Sequence, residues 1–254
     1  MKVVAVLSAI GGAGATTIAA HLATALHLQK RQTLAFDFCT ENLLRLHFGM
    51  SWNDNGGFAA DLLQGRDWHK SAYRSATGVD FVPFGQLTSE ESLDRLTGWL
   101  KEHPGWFRNQ LSAIQAPHDT ITICDCPRMP AALREQVLAA ADLILLVCSP
   151  DTVSYASATR IAAEVRMAHG PSTMIVLNGF DSSRRLDRDI SVLLRTQHKA
   201  SLSPVVVHRD ESLREALACK QTVFDFAPSS QAAYDFSALS TWTLARLGQE
   251  EVHA

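Results

Sequence analysis

Short apolar runs alternate along the chain with longer segments in which apolar residues recur every three to four positions. The short runs are rich in valine, isoleucine and leucine without strict alternation, which predicts parallel strands covered on both faces. These strands are predicted at 3–8, 33–37, 79–84, 120–125, 143–148, 173–178 and 205–208. Helices are predicted between them at 16–31, 88–102, 129–141, 151–168, 184–198 and 210–219. The pattern therefore predicts an α/β fold, a doubly wound and mostly parallel sheet of about seven strands with helices on both faces.

The same pattern bears on domain organisation. It continues without an internal repeat or a linker-like change of composition, so one domain is expected over residues 1–254. With 46% apolar residues, a chain of 254 residues can bury one sizeable core. Two segments, 51–57 and 103–116, interrupt the alternation and are predicted to be surface excursions.

Charge, cysteine usage and hydropathy narrow the class of protein. A net charge of -3 and a pI near 6.3 argue against binding to nucleic acid or to an anionic membrane. The five cysteines include no C-x-x-C pair, which argues against a zinc site or a disulfide framework. The first residues do not have the pattern of a secretory leader, and no run reaches the ~18 apolar residues of a membrane span. A cytoplasmic protein without direct membrane insertion is expected.

A glycine-rich turn joins the first predicted strand to the first predicted helix. It consists of Gly11, Gly12, Ala13, Gly14, Ala15, Thr16 and Thr17. Glycines let several backbone N–H groups converge, and the start of a helix adds partial positive charge, so such a turn can hold phosphates. The phosphate-loop pattern G-x-x-x-x-G-K-[ST] fails at two positions, Ala9 and Ala15. Nucleotide binding at 11–17 and a glycine turn that binds nothing both remain open.

Two aspartates, Asp37 and Asp125, end predicted strands. Because ligands of such sheets collect at the carboxyl ends of the strands, both are expected beside the glycine turn. Together with the hydroxyl of Thr16 they offer the oxygen ligands that Mg²⁺ prefers. Thr16, Asp37 and Asp125 are therefore predicted to form a metal site, direct or through water. The alternative is that each aspartate caps its own loop.

Five motifs, in the right order, resemble the MinD/ParA group of P-loop ATPases. The turn at 10–17 is similar to the group's K-G-G-x-G-K-[ST]-T, 37–39 to its D-x-D, 125–127 to its D-x-P, and 141–150 to its next strand and exit. Asn178 matches the asparagine that hydrogen-bonds adenine. His208, Arg209 and Asp210 are similar to the region that flanks the base. The resemblance covers about residues 1–225. It implies binding of ATP or ADP with Mg²⁺, and a homodimer through the nucleotide face.

A narrower resemblance is to the BcsQ (YhjQ) branch of this group, which is encoded with bacterial cellulose synthase. It rests on residues 37–46, 62–68, 83–87 and 207–211. That branch also has cysteine at the second switch I position and a loop without the usual lysine. The resemblance implies an accessory and regulatory protein of cellulose synthesis and secretion. It also implies other cytoplasmic subunits of the synthase operon as partners, and recruitment to the inner-membrane synthase complex.

Three departures from the MinD/ParA pattern bear on catalysis. Ile10 and Ala15 stand where the group has lysines, and Cys39 stands where it has the second aspartate of D-x-D. In the group, the first lysine crosses the dimer to steady the transition state, and charges used in this way are worth ~10³–10⁵ in rate. The resemblance therefore implies little or no hydrolysis, and no catalytic residue is assigned. Losing one charge-assisted contact costs roughly 1.5–3 kcal/mol, so nucleotide binding is expected to survive.

Three functions remain open at this stage. The first is a dimeric scaffold that binds ATP with little turnover. The second is an active ATPase that positions cargo through hydrolysis cycles, and the third is an adaptor that binds no nucleotide. The basic cluster Arg184, Arg185, Arg188, Arg195 and Lys199 contains interleaved acids and is predicted to be a solvated helix face. The C-terminal stretch 242–247 ends in acidic residues, which argues against a membrane-targeting helix.

Overall fold

Eight strands form one sheet in the computed structural model, which describes residues 1–168 and 170–251. The strands are β1 (Lys2–Ser8), β2 (Thr33–Asp37), β3 (Tyr73–Arg74), β4 (Asp80–Val82), β5 (Ile121–Cys126), β6 (Leu143–Cys148), β7 (Ser172–Phe180) and β8 (Val207–His208). Their order across the sheet is β3-β4-β2-β5-β1-β6-β7-β8. Only the pairing of β3 with β4 is antiparallel among the described strands. The sheet is thus the mostly parallel one that the sequence predicts.

Helices connect the strands and cover the sheet. They are α1 (Ala15–Leu28), α2 (Leu44–His47), α3 (Phe58–Leu63), α4 (Glu90–Glu102), α5 (Trp106–Ala113), α6 (Ala131–Ala140), α7 (Thr152–Met167), α8 (Arg185–Gln197), α9 (Ser212–Ala218), α10 (Val223–Phe226) and α11 (Gln231–Glu251). None of the helices in the described ranges is both long enough and apolar enough to span a bilayer.

The core has two layers, one on each face of the sheet. Successive residues of β1 point to opposite faces, so Val3 and Ala5 join one layer whereas Val4 and Val6 join the other. The first layer contains a cluster of aromatic rings, among them Phe36, and the second packs α1 and α11 against the sheet. This double coverage explains why the strands are continuous apolar runs.

Several elements differ from the sequence prediction. The strand β3 was not predicted, because two residues followed by a turn leave no periodic signal. The prediction that 103–116 is a surface excursion is wrong, because α5 buries Trp106, Phe107 and Leu111 in the first core layer. Pro104 and Gly105 made this segment resemble a loop, and tertiary packing overrides that local signal. The short helices α2, α3 and α10 and the long C-terminal helix α11 were also not predicted.

The strand order determines where the functional side chains meet. Parallel pairing places Asp37 of β2 opposite Asp125 of β5, and Asp125 opposite Val6 of β1. The chain leaves β1 directly into the glycine loop, which occupies residues 9–14 between β1 and α1. Three adjacent strands therefore bring the loop and both aspartates to the same edge of the sheet.

Candidate functional site

The glycine loop forms an open turn that ends at the first amides of α1. Gly12 and Gly14 have φ values of +79° and +96°, a left-handed conformation that favours glycine. The first amides of a helix have no acceptor within the helix, so those of Ala15, Thr16 and Thr17 are available to an anion. A Cβ atom built on Gly11 or Gly12 would meet no atom within 4 Å, which shows that the space beside the loop is open.

Two side chains from distant elements hold this loop. The amide of Asn178, in β7, donates a 2.7 Å hydrogen bond to the carbonyl oxygen of Ala13. The hydroxyl of Ser157, in α7, donates a 2.6 Å hydrogen bond to the carbonyl oxygen of Ala9. Asn178 was predicted from the sequence as a site residue, whereas Ser157 was not, because a serine inside a helix gives no local signal of a contact 148 residues away. Adenine contact by Asn178 stays a prediction.

Asp37 organises the segment that follows β2. One carboxylate oxygen accepts a 2.8 Å hydrogen bond from the N–H of Cys39, and the other accepts a 3.2 Å bond from the N–H of Leu44. The second bond fixes the start of α2. Asp37 therefore caps its loop, and one of its carboxylate oxygens also lies within 4.8 Å of a carboxylate oxygen of Asp125. Metal coordination by Asp37 stays a prediction.

Asp125 differs from Asp37 because its charge is not compensated. Its side chain is 1% exposed, and neither carboxylate oxygen has a hydrogen-bond partner within the described part of the chain. Burial raises its pKa to about 6. The Thr16 hydroxyl and the Cys39 thiol lie nearby and lower this pKa in part, but neither meets hydrogen-bond geometry with the carboxylate, and the thiol donates instead to the backbone carbonyl of Asp125. Burial and the charge of Asp125 together raise the pKa of Asp37 well above its ordinary value. Two buried carboxyl groups thus share a site that is suited to a cation.

A third donor joins the two aspartates. The Cys39 sulfur and one carboxylate oxygen each from Asp37 and Asp125 all lie within 4.8 Å of one another. Burial and the two carboxylates raise the pKa of the Cys39 thiol, so it is neutral without a cation. The sequence identified Cys39 only as a lost aspartate and gave no indication that its sulfur lies beside the other donors.

Cys39 and Asp125 line a cavity of about 400 Å³, whereas Asp37 lies next to them and does not line it. The cavity connects the glycine loop to the turn after β5, and Gly11, Ala15 and Thr16 line one side of it. The other residues that line it are Ser8, Cys39, Glu41, Asp125, Cys126, Pro127, Arg128 and Met129. The glycine loop, the threonine and both strand-end aspartates predicted from the sequence are therefore brought together, with Arg128 as the cation at the rim.

His208 ends β8, Arg209 and Asp210 follow it, and all three take part in the local structure there. Asp210 accepts hydrogen bonds from the N–H groups of Ser212 and Ala232, so it caps the starts of α9 and α11. The N–H of His208 donates to Asp235 at 2.8 Å, and its Nδ1 lies 2.9 Å from the same oxygen. The three residues neighbour β7, which carries Asn178. Their contact with a base stays a prediction.

The basic cluster on α8 is solvated, as the sequence predicts. All five of its residues are exposed. Arg184 pairs with Asp181 at 3.2 Å, Arg185 pairs with Asp189 at 3.7 Å, and Arg188 donates to carbonyl oxygens of the preceding turn. These contacts within one surface segment do not indicate a separate binding site.

Comparison with known proteins agrees with this geometry. The family described as "Cellulose biosynthesis protein BcsQ" matches residues 1–244. The chain is 30% identical to the BcsQ protein of Escherichia coli (strain K12), over 96% of this chain and 94% of that protein. It is 31% identical to the BcsQ protein of Salmonella typhi, over 92% of this chain and 90% of that protein.

Among solved structures, the septum site-determining protein MinD of Pyrococcus horikoshii, complexed with Mg-ADP, superimposes with a TM-score of 0.76. The identity is 19%, and the match covers 94% of each chain, so this likeness concerns the fold. This likeness confirms the predicted α/β fold, a mostly parallel sheet with helices like that of the MinD and ParA proteins. The chain belongs to the BcsQ family of cellulose biosynthesis proteins.

Proposed function

We propose that this protein binds ATP, or ADP, with Mg²⁺ in the cavity beside the glycine loop and serves cellulose synthesis and secretion as a dimeric scaffold with little or no hydrolysis. The observation that carries the proposal is the uncompensated carboxylate of Asp125 in that cavity. A buried carboxylate costs several kcal/mol unless a charge partner compensates it, and a metal–nucleotide complex supplies one. The backbone amides of 11–17 supply donors for the phosphates on the opposite wall.

The donor set fits Mg²⁺. The hydroxyl of Thr16 and the carboxylates of Asp37 and Asp125 are hard oxygen ligands, and they would hold the ion directly or through water. When bound, Mg²⁺ neutralises phosphate charge. Arg128 at the rim adds a positive charge that partly replaces the lysine missing at Ala15. In this proposal Asn178, His208, Arg209 and Asp210 lie around the adenine.

Exposed apolar residues around the site support a dimer through the nucleotide face. Met129 lines the nucleotide cavity and is 67% exposed. Leu43 and Trp52 are also exposed, and they line a second cavity of about 600 Å³ that shares Glu41 with the first. Exposed apolar patches of this kind mark interaction surfaces. A homodimer requires a patch that meets itself, and in this proposal these exposed residues belong to that patch.

Calorimetry on Thr16→Ala tests nucleotide binding. The variant removes the hydroxyl and the γ-methyl group of Thr16 from the cavity. Mg²⁺-ATP affinity is expected to fall at least tenfold, about the loss that follows from one charge-assisted contact. Thr97→Ala is the matched control, because Thr97 lies on α4 and its hydroxyl bonds only the carbonyl of Asp94. Equal affinity of Thr16→Ala and the parent would show that the nucleotide binds elsewhere or not at all.

The cellulose role is tested in cells. We expect that a strain lacking the gene makes less cellulose, that the parent protein restores the product, and that Thr16→Ala restores it poorly. Full restoration by Thr16→Ala would separate cellulose synthesis from nucleotide binding. Co-purification with the other cytoplasmic subunits of the synthase operon, and recruitment to the inner membrane, would be measured in the same strains.

One observation favours the adaptor that binds no nucleotide. One of the two N–H groups of the Asn178 amide already donates to the loop, so in this conformation only its second N–H and its oxygen remain for a base. Mass spectrometry of the purified protein separates the two functions, because the scaffold is expected to retain ATP or ADP and the adaptor is not.

A further inference from the structure

We propose that Asp37, Cys39 and Asp125 bind a thiophilic divalent cation of the Zn²⁺ class when no nucleotide is present. The inference goes beyond the proposed function, because it requires neither ATP nor a dimer. It rests on three donor atoms that lie within 4.8 Å of one another, two of which belong to residues that line an accessible cavity, Cys39 and Asp125.

The three donors are held in place before any ion arrives. Asp37 accepts the N–H of Cys39 at 2.8 Å, and this bond fixes the turn that carries the sulfur. The second oxygen of Asp37 accepts the N–H of Leu44. Each carboxylate oxygen has a further lone pair, so Asp37 remains able to coordinate. Supporting hydrogen bonds of this kind orient the ligands of protein metal sites.

Asp125 provides separate evidence that a cation binds at this site. It is buried to 99%, its two oxygens have no partner among the described residues, and it lines the cavity. A capping or structural aspartate has hydrogen-bond partners, as Asp37 does. An ion between Asp125, Asp37 and Cys39 would compensate the charge that the protein leaves uncompensated.

The sulfur determines which cations fit. Mg²⁺ selects oxygen ligands in octahedral geometry and gains nothing from a thiol, whereas Zn²⁺, Co²⁺ and Cd²⁺ accept mixed sulfur and oxygen ligands. Three protein ligands leave one position of a tetrahedral site for water. On binding, the metal–sulfur bond forms as the S–H bond breaks, and the proton passes to solvent. Since Cys39 is only partly buried and lines the cavity, the ion can reach it from solvent.

Cobalt is the probe, because a thiolate bound to Co²⁺ gives a sulfur-to-metal charge-transfer band in the near ultraviolet. Co²⁺ is titrated into reduced, nucleotide-free protein, as parent, as Cys39→Ser and as Cys219→Ser. Cys219 is the matched control, since it is a free and exposed cysteine far along the chain. The band is expected in the parent and in Cys219→Ser, where added Zn²⁺ should displace Co²⁺ and abolish it. Cys39→Ser is expected to show no band.

Three results would overturn the inference. These are a parent without the band, a band that survives in Cys39→Ser, and a band that disappears in Cys219→Ser. If circular dichroism shows that Cys39→Ser is unfolded, Asp125→Asn decides, because it keeps the thiol and removes a ligand. Its Co²⁺ affinity is expected to fall at least ~tenfold, in line with losses on disturbing metal sites, and an unchanged affinity would refute the site. Mg²⁺-ATP calorimetry on the parent is independent, so either proposal can fail alone.

Discussion

The side-chain amide of Asn178 and the carbonyl oxygen of Ala13 are joined by a 2.7 Å hydrogen bond that ties the end of β7 to the glycine loop. Gly14 lies directly against this contact. A Cβ atom at position 14 would lie 2.3 Å from the Asn178 nitrogen, and the φ of Gly14 is +96°. The loop therefore depends on glycine at this position for two separate reasons, space and backbone conformation.

Gly14→Ala is expected to destabilise the protein and to abolish nucleotide binding. The left-handed conformation alone costs roughly 1–2 kcal/mol for alanine, and displacement of Asn178 adds to it. Gly11→Ala is the matched control, because its Cβ would meet no atom within 4 Å and its φ is not positive. Since that Cβ would intrude on the cavity, Gly11→Ala should keep the parent melting temperature and weaken Mg²⁺-ATP binding. Thermal melts and calorimetry on both variants measure the two effects.

Asp125→Asn is expected to stabilise the ligand-free protein while it weakens Mg²⁺-ATP binding. The pKa of Asp125 is raised to about 6 from 3.8 in the native state. Ionisation of Asp125 therefore destabilises the folded protein. This destabilisation grows as the pH rises from 3.8 to about 6 and has its full value above about pH 6. At about 1.4 kcal/mol per pKa unit, the gain at neutral pH reaches roughly 3 kcal/mol. Urea unfolding measures it, with Asp119→Asn at an exposed ion pair as the control. A destabilised Asp125→Asn would contradict this account.

Two buried histidines predict a loss of stability in mild acid. His21 donates from Nδ1 to the Thr17 carbonyl and accepts the Val223 N–H at Nε2, which fixes the neutral ring. Burial lowers the pKa of His21 to about 4, despite its bond to Thr17. Burial, with a smaller effect of His21, lowers the pKa of His47 to about 3. The histidines of the unfolded chain take up protons near pH 6.5, whereas those of the folded protein do so only near their lowered pKa values. The free energy of unfolding is therefore undiminished above about pH 6.5 and falls as the pH drops towards those lowered pKa values.

The loss from His21 alone is about 3 kcal/mol at the acid end of that window. Denaturant midpoints measured between about pH 7.5 and 4 should show it in an Asp125→Asn background, because protonation of Asp125 acts in the opposite direction over part of this range. His47→Leu is expected to reduce the pH dependence, because it removes one of the two titrating rings. The Nδ1 of His47 has no hydrogen-bond partner among the described residues, so the substitution breaks no hydrogen bond at that atom. His118→Leu, at an exposed position, is the control and should keep the parent slope. An equal slope in His47→Leu would exclude His47 as a source of the dependence.

The sequence predicts the parts of this site that depend on strand ends. Because parallel strands end at one edge, the proximity of Asp37 and Asp125 follows from the order of apolar runs, and it is found. The glycine loop is predicted for the same reason. The contact of Ser157 with Ala9 and the approach of the Cys39 sulfur to Asp125 depend on how distant segments pack, for which no local pattern exists. The burial of α5 was missed on the same grounds, since Gly105 has a loop-like signature.

Hydrolysis should be very slow in the parent. Ile10 and Cys39 replace the two groups that the chemistry of the wider group uses, and Cys39 lies beside Asp125 where it cannot act as a carboxylate base. Steady turnover near ~1 s⁻¹, an ordinary rate for phosphoryl transfer, would contradict this. Combining Ile10→Lys, Ala15→Lys and Cys39→Asp should raise phosphate release. The same triple change with Asp125→Asn is the control and should remain inactive.

Slow hydrolysis has a consequence for assembly. In our proposal the nucleotide lies at a face-to-face dimer interface, so a site that binds but hardly turns over keeps that dimer closed, as a scaffold requires. Ile10 is half-buried against the second core layer at the start of the loop, and it is better suited than lysine to an apolar contact across a two-fold axis.

Light scattering should give a dimer for the parent with Mg²⁺-ATP. Ile10→Asp should give a monomer, because the two-fold axis brings two like charges together. Val192→Asp, at an exposed apolar position on α8, is the control and should still dimerise. A parent that stays monomeric with Mg²⁺-ATP and with the operon partners present would rule out the dimeric scaffold.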